Sequence, residues 1–152
     1  MIEGVVTKPL GKFLDERGWL AELYREDELG GIPRPVMTYI SVTHPGVARG
    51  PHEHVFQTDY FCFLGPSNFK VLLWDNRKNS PTSGQKMTIY AGQDNPMMVM
   101  VPPGVVHAYK NIGIDMGSVI NFPDKLYKGS GKKEAVDEIR HENDVNSPFK
   151  VD

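Results

Sequence analysis

Between residues 36 and 122 the chain is a succession of short β-branched and aromatic runs cut by turn formers, and this cadence leaves little room for any fold but a β one. The runs are Val36–Thr43, Phe56–Leu64, Phe69–Trp74, Lys86–Tyr90, Met97–Val101, Val106–Tyr109 and Gly117–Phe122. Between them stand Gly-Pro-Ser-Asn at 65–68, a polar stretch at 75–84, Gly-Gln-Asp-Asn-Pro at 92–96 and Pro-Pro-Gly at 102–104. Strands this short at this spacing predict an antiparallel sandwich or barrel, with 15 Gly and 12 Pro supplying the turns. With 152 residues the chain is expected to form one domain, residues 1–152. Two further extended segments are expected at Glu3–Thr7 and Trp19–Tyr24, around a turn at 14–18. Neither face of the second is polar, which predicts cover on both sides, as in a strand that crosses to a partner subunit. Arg25–Gly31 is expected to form one helical turn before Pro33. Lys132–His141 is expected to be a short C-terminal helix, with Ala135, Val136 and Ile139 as its apolar stripe.

The chemistry is concentrated in two places on that frame. Gly46–Gly65 carries His52 and His54, one residue apart and therefore on one face of an extended strand, and then Asp59. Some forty residues on, Pro102–Asn111 delivers His107 from a Pro-Gly turn. Three imidazoles and a carboxylate drawn from two strands are a donor set for a divalent metal such as Zn, Fe, Mn or Ni. The formal net charge of −2 argues against sequence-independent nucleic-acid binding, which would need a basic face, and no apolar run approaches the length of a membrane span. Cys62, the only cysteine, lies in an aromatic run and is expected to be a buried thiol. A cytoplasmic protein is expected, with no nucleic-acid or membrane partner.

The spacing G-x5-H-x-H-x4-D-x5-G followed by P-x-G-x2-H-x3-N resembles the two signature motifs of the cupin superfamily, with Asp59 where a glutamate is usual. That resemblance implies a jelly-roll barrel with His52, His54, Asp59 and His107 pointing inward. A narrower one extends over most of the chain. FLDERGWLAELYRED at 13–27, GVARGPHEH at 46–54, WDNRKNSPTSGQ at 74–85 and VPPGVVHAY at 101–109 resemble successive blocks of the dTDP-4-dehydrorhamnose 3,5-epimerases. It implies a homodimer that needs no metal and acts on a dTDP-4-keto-6-deoxyhexose. It also implies nucleotide contacts from Arg17 and Glu22 across the dimer, an anion contact from Arg49, a base at His52 and a supporting donor at His107.

The chain departs from that family at three positions. The donor tyrosine falls at or near Asn121, with Tyr127 the nearest phenol after it; Asp59 stands at the family's lysine; and the carboxylate that the family brings from a C-terminal segment has no evident counterpart before Asp152. Three readings stay open: an epimerase or isomerase working next to the 4-keto group, a metal-dependent cupin on a small carbohydrate or organic acid, and a sugar-nucleotide-binding cupin without catalysis.

Overall fold

The computed structural model describes residues 1–28 and 30–152. Its strands are β1 (Val6–Pro9), β2 (Phe13–Asp15), β3 (Gly18–Leu20), β4 (Tyr39–Thr43), β5 (Ala48–Glu53), β6 (Asp59–Phe63), β7 (Asn68–Asp75), β8 (Lys86–Gly92), β9 (Met97–Val101), β10 (Val105–Asn111), β11 (Gly117–Asn121) and β12 (Ile139–Arg140). Two antiparallel five-stranded sheets, ordered β1-β9-β6-β11-β4 and β12-β5-β10-β7-β8, form the jelly roll; β2 and β3 make a separate hairpin.

Inward-facing side chains of the two sheets meet in one core that includes Phe61, Phe63, Phe69, Val71, Leu73, Val99, Val101 and Val119, all at most 3% exposed. The outer faces are covered as well. Ala21, Leu23 and Ile32 pack over Tyr60, Cys62 and Met98, while Phe149 and Val151 cover Leu72, Trp74 and Val106. Strands apolar on both faces, such as β6 and β7, follow from this double cover.

One close approach sets the site. Between β5 and β10 the register shifts, pairing His52 with His107 but Arg49 with Tyr109. Gly50 occupies the irregularity at φ +81°, and a Cβ there would lie 2.5 Å from the His107 carbonyl oxygen. Only glycine allows β5 to come that near.

Several expectations are corrected. Lys132–His141 is not a helix: Ser130–Lys132 is a single 3-10 turn, residues 133–138 form neither helix nor strand, and Ile139 and Arg140 pair with Glu53 and His52. A stripe of three apolar residues buries too little to hold an isolated helix, and Lys132, where it was to start, sits at φ +59°, outside the right-handed helical region. The strand expected from Phe56 begins only at Asp59, because the amides of Val55, Phe56 and Gln57 donate to the Asp137 carboxylate instead of to a neighbouring strand. Of Trp19–Tyr24 only Trp19 and Leu20 are strand, within Gly18–Leu20, and both are exposed in the single chain. At 26–28, 30 and 31 there are turns rather than helix; Leu29, within the segment where one helical turn was expected, lies outside the described residues.

Candidate active site

The histidines converge at one end of the space between the sheets. β5 carries His52, and His54 follows just past its end; β10 brings His107 opposite His52. The Nε2 atoms of His52 and His107 stand 3.0 Å apart, and one ring nitrogen from each of the three histidines falls within 4.8 Å of the others. Asp59, at the start of β6, closes the group: its Oδ2 lies 3.1 Å from His54 Nε2 and 3.5 Å from His107 Nε2. Its Oδ1 accepts from Gln57 Nε2 at 2.9 Å and from Asn121 Nδ2 at 2.7 Å.

Second contacts orient these rings. Val105 O accepts from His107 Nδ1 at 3.1 Å, and Asp137 O accepts from His54 Nδ1. A neutral His107 therefore keeps its lone pair on Nε2, so the hydrogen shared with His52 is carried by His52.

Electrostatics divides the three imidazoles into distinct states. Burial opposes charge on His54, but the hydrogen bond and charge of Asp59, helped by Asp137, outweigh it and raise the pKa to about 9. Burial likewise opposes charge on Asp59, yet His54 and His107 hold its carboxyl down at about 2. His52 is pushed down to about 2 by burial and then by its neighbours His107 and His54, and burial pushes His107 down too. At neutral pH the site thus holds a buried His54–Asp59 ion pair beside two uncharged imidazoles.

The segment following β11 lies over this group. Residues of 123–142 form much of the wall of a cavity of about 840 Å³, within the size range of about 300–1,000 Å³ of small-molecule sites. The Asp137 carboxylate fastens the segment by accepting from the backbone N–H groups of Val55, Phe56 and Gln57, each at 2.9 Å. Glu138 Oε1 then stands 3.7 Å from His52 Nε2, while its Oε2 accepts from Arg140 Nε at 2.7 Å. The C-terminal segment therefore brings a carboxylate to His52, where the sequence offered no evident one. Glu138 was illegible in the sequence because it sits in a charged run that looks like a solvated helix face.

Of the other residues singled out, Arg49 and Tyr127 line the cavity. The Arg49 guanidinium is braced by Thr43 Oγ1 at 3.0 Å and Val42 O at 2.8 Å. Asn121 is buried on β11 and does structural work: its Oδ1 accepts from Tyr60 N, and its Nδ2 donates to Asp59 and to the Tyr39 hydroxyl at 3.0 Å. Arg17 and Glu22 are not brought to the cavity of their own chain. Arg17 pairs with Asp15 at the tip of the β2–β3 hairpin, and Glu22 pairs with Arg25.

Sequence reasoning missed Tyr39 and Ser41, which also line the cavity. Their signal was an inverted alternation: on β4, Tyr39, Ser41 and Thr43 face inward while Ile40 and Val42 face out.

Comparison with known proteins agrees with this fold. The chain is 37% identical over 127 residues to the spore coat polysaccharide biosynthesis protein SpsL of Bacillus subtilis, covering 84% of this chain and 83% of that one. It is 36% identical over 128 residues to the probable low-salt glycan biosynthesis epimerase Agl13 of Haloferax volcanii, covering 83% and 81%. A dTDP sugar isomerase structure from Desulfovibrio desulfuricans superposes with a TM-score of 0.84 at 24% identity, over 98% of this chain and 91% of that one. Residues 1–134 match the family described as dTDP-4-dehydrorhamnose 3,5-epimerase. With its jelly roll and inward-facing histidines, the chain belongs to the dTDP-4-dehydrorhamnose 3,5-epimerase family of sugar-nucleotide isomerases.

Proposed function

We propose that the protein binds a dTDP-4-keto-6-deoxyhexose in the cavity between its sheets and removes a proton from a carbon next to the 4-keto group. The observation that carries this reading is the His52–His107 pair, whose Nε2 atoms share one hydrogen 3.0 Å apart, with His52 and the cation Arg49 both in the wall of one cavity. A base must be unprotonated before it can act, and burial keeps His52 so. His52 takes the substrate proton on the ring nitrogen that carries no hydrogen, and its Nε2 hydrogen then shifts toward His107 Nε2, which spreads the charge over the pair. Asp59 and Glu138, close to His107 and His52 respectively, balance the charge this creates. The cationic His54 in the cavity wall, with Asp59 as its counter-ion, supplies positive charge near a developing enolate, and His107 supports the base by taking up the shifted hydrogen.

Arg49 suits the diphosphate, its guanidinium being held in one orientation by β4, and Tyr127 suits the sugar or base beside it. Arg17 and Glu22 serve the nucleotide from a second copy of the chain. Support for a homodimer lies in the hairpin that carries Arg17, whose Phe13, Leu14, Trp19 and Leu20 are all more than half exposed, and in the outward Ile40 and Val42 of edge strand β4. Sedimentation equilibrium at micromolar concentration tests this, with twice the chain mass expected. The enzyme works in the cytoplasm, in carbohydrate biosynthesis, with no nucleic-acid or membrane partner. The activity is tested by conversion of dTDP-4-keto-6-deoxyglucose to an isomer, followed by NMR.

A second reading has its own observation. His54 and His107 each donate Nδ1–H to a backbone carbonyl, which leaves Nε2 aimed at the centre shared with His52 and Asp59. Ring nitrogens backed by carbonyls are how histidines are oriented toward a metal, so the donor set fits Zn, Fe, Mn or Ni. An ion held there would polarise a substrate carbonyl, and His52 would be a ligand rather than a base. Elemental analysis of untagged protein separates the two: about one metal per chain, lost in His54→Ala and Asp59→Ala, favours the second reading.

A further inference from the structure

Inverting a carbon centre requires a proton donor on the ring face opposite the base, and the resemblance puts the family's phenol at Asn121, which cannot fill that role. On the antiparallel pair β4–β11, however, Asn121 stands directly opposite Tyr39. The amide donates from Nδ2 to the Tyr39 oxygen at 3.0 Å and to Asp59 Oδ1 at 2.7 Å. Because the phenol oxygen accepts from Asn121, its own O–H is left to point into the cavity that Tyr39 lines.

The strands place this hydroxyl against His52. β4 belongs to one sheet and β5 to the other, so a ligand between the sheets has Tyr39 on one side and His52 on the other. Contact across the gap is direct two residues along, where Ser41 Oγ lies 2.9 Å from the Tyr109 hydroxyl on β10, next to β5.

We propose that Tyr39, displaced by one strand from the family's usual place for a phenol, is the proton donor to the ring face opposite His52, with Asn121 holding its oxygen in position. This rests on the proton-abstraction reading given above. The step balances without a co-reactant. The C–H electron pair stays with the substrate as the enolate when His52 takes the proton; a new C–H bond then forms on the other face as the Tyr39 O–H breaks. The phenolate is reprotonated by water at the open side of the cavity, where Tyr39 is 44% exposed, and His52 releases the proton it took to water in the same cavity, which restores both groups. Burial and the Asp59 charge raise the phenol to about 12, which keeps it protonated until it is used.

The test is Tyr39→Phe, which keeps the ring and removes only the hydroxyl, assayed on dTDP-4-keto-6-deoxyglucose in deuterated buffer. Two rates are read: deuterium entering recovered substrate and formation of the inverted product. The expected result is a split. Exchange stays within about fivefold of wild type, because His52 still removes and returns the proton on its own face, while inversion falls at least about 100-fold, the scale of one general acid. Near-UV circular dichroism of the variant is expected to match wild type. Inversion within about threefold of wild type overturns the proposal, as does a parallel fall in exchange and inversion, or the same split in Tyr109→Phe in place of Tyr39→Phe. A wild-type protein that exchanges no deuterium overturns the underlying activity, and the proposal with it.

Discussion

His54 and Asp59 form a buried ion pair, Nε2 to Oδ2 3.1 Å, at the point where the two sheets of the jelly roll come together. Removing one partner of such a pair leaves the other charge uncompensated, so Asp59→Ala is expected to cost about 3–5 kcal/mol. The pair also sets a pH window. The His54 pKa is raised from 6.5 to about 9, so its contribution is whole below 6.5 and is lost as pH rises through 9. That of Asp59 is lowered from 3.8 to about 2, so its contribution is whole above 3.8 and is lost as pH falls through 2. Denaturant titration of wild type and Asp59→Ala should show the largest gap between pH 4 and 6.5, narrowing toward pH 9. A gap that widens above pH 7 contradicts this assignment.

Glu138 approaches His52 from a segment that is tied down by Asp137. Glu138→Gln keeps the shape and removes the charge that balances a protonated His52. It should lower kcat about 10- to 100-fold with KM changed less than about threefold. Asp137→Ala acts differently, because three backbone N–H groups lose their acceptor. Hydrogen exchange should quicken at residues 55–57 and 137–140 first, and KM should rise.

Gly50 is held at φ +81° within contact distance of the His107 carbonyl. Gly50→Ala should cost about 2–4 kcal/mol from the strained backbone and the forced separation of β5 from β10. The loss should exceed that of Gly84→Ala, where the φ is also positive but no atom lies within 4 Å of the new methyl group. Equal losses at the two positions, read from melting curves, would contradict the account of the bulge.

Arg49 has its Nε and Nη2 committed to β4, which aims the guanidinium rather than letting it sweep the cavity. Lysine keeps the charge and loses the bracing, so Arg49→Lys should raise KM for a dTDP-sugar about tenfold or more while kcat falls less. Isothermal titration with dTDP alone should show the same weakening.

The barrel was legible because its information is local. Runs such as Phe69–Trp74 and Met97–Val101 carry β-branched or apolar residues bounded by turn formers, and both emerged as β7 and β9 within two residues of expectation. The histidine cluster was legible for the same reason: His52 and His54 are spaced by two at the end of β5, and His107 follows a Pro-Gly turn. The segment over the cavity was not. Its hold on the barrel comes from one carboxylate, Asp137, reaching backbone amides some eighty residues away, and no periodicity encodes such a contact. Ala135, Val136 and Ile139 happen to fall at helical spacing and pointed to the wrong element. Tyr39 was hidden by the usual assumption that apolar residues face in; here the interior of β4 is a polar cavity wall, and Ile40 and Val42 face outward.

The central claim is that His52 removes a proton from the carbon next to a 4-keto group. Its most direct test is NMR detection of solvent deuterium entering dTDP-4-keto-6-deoxyglucose, comparing wild type, before and after treatment with a chelator, with His52→Ala. The account predicts incorporation by wild type at an unchanged rate after chelation, and none above background with His52→Ala. Incorporation that His52→Ala retains, or that chelation abolishes and a divalent ion restores, would contradict it.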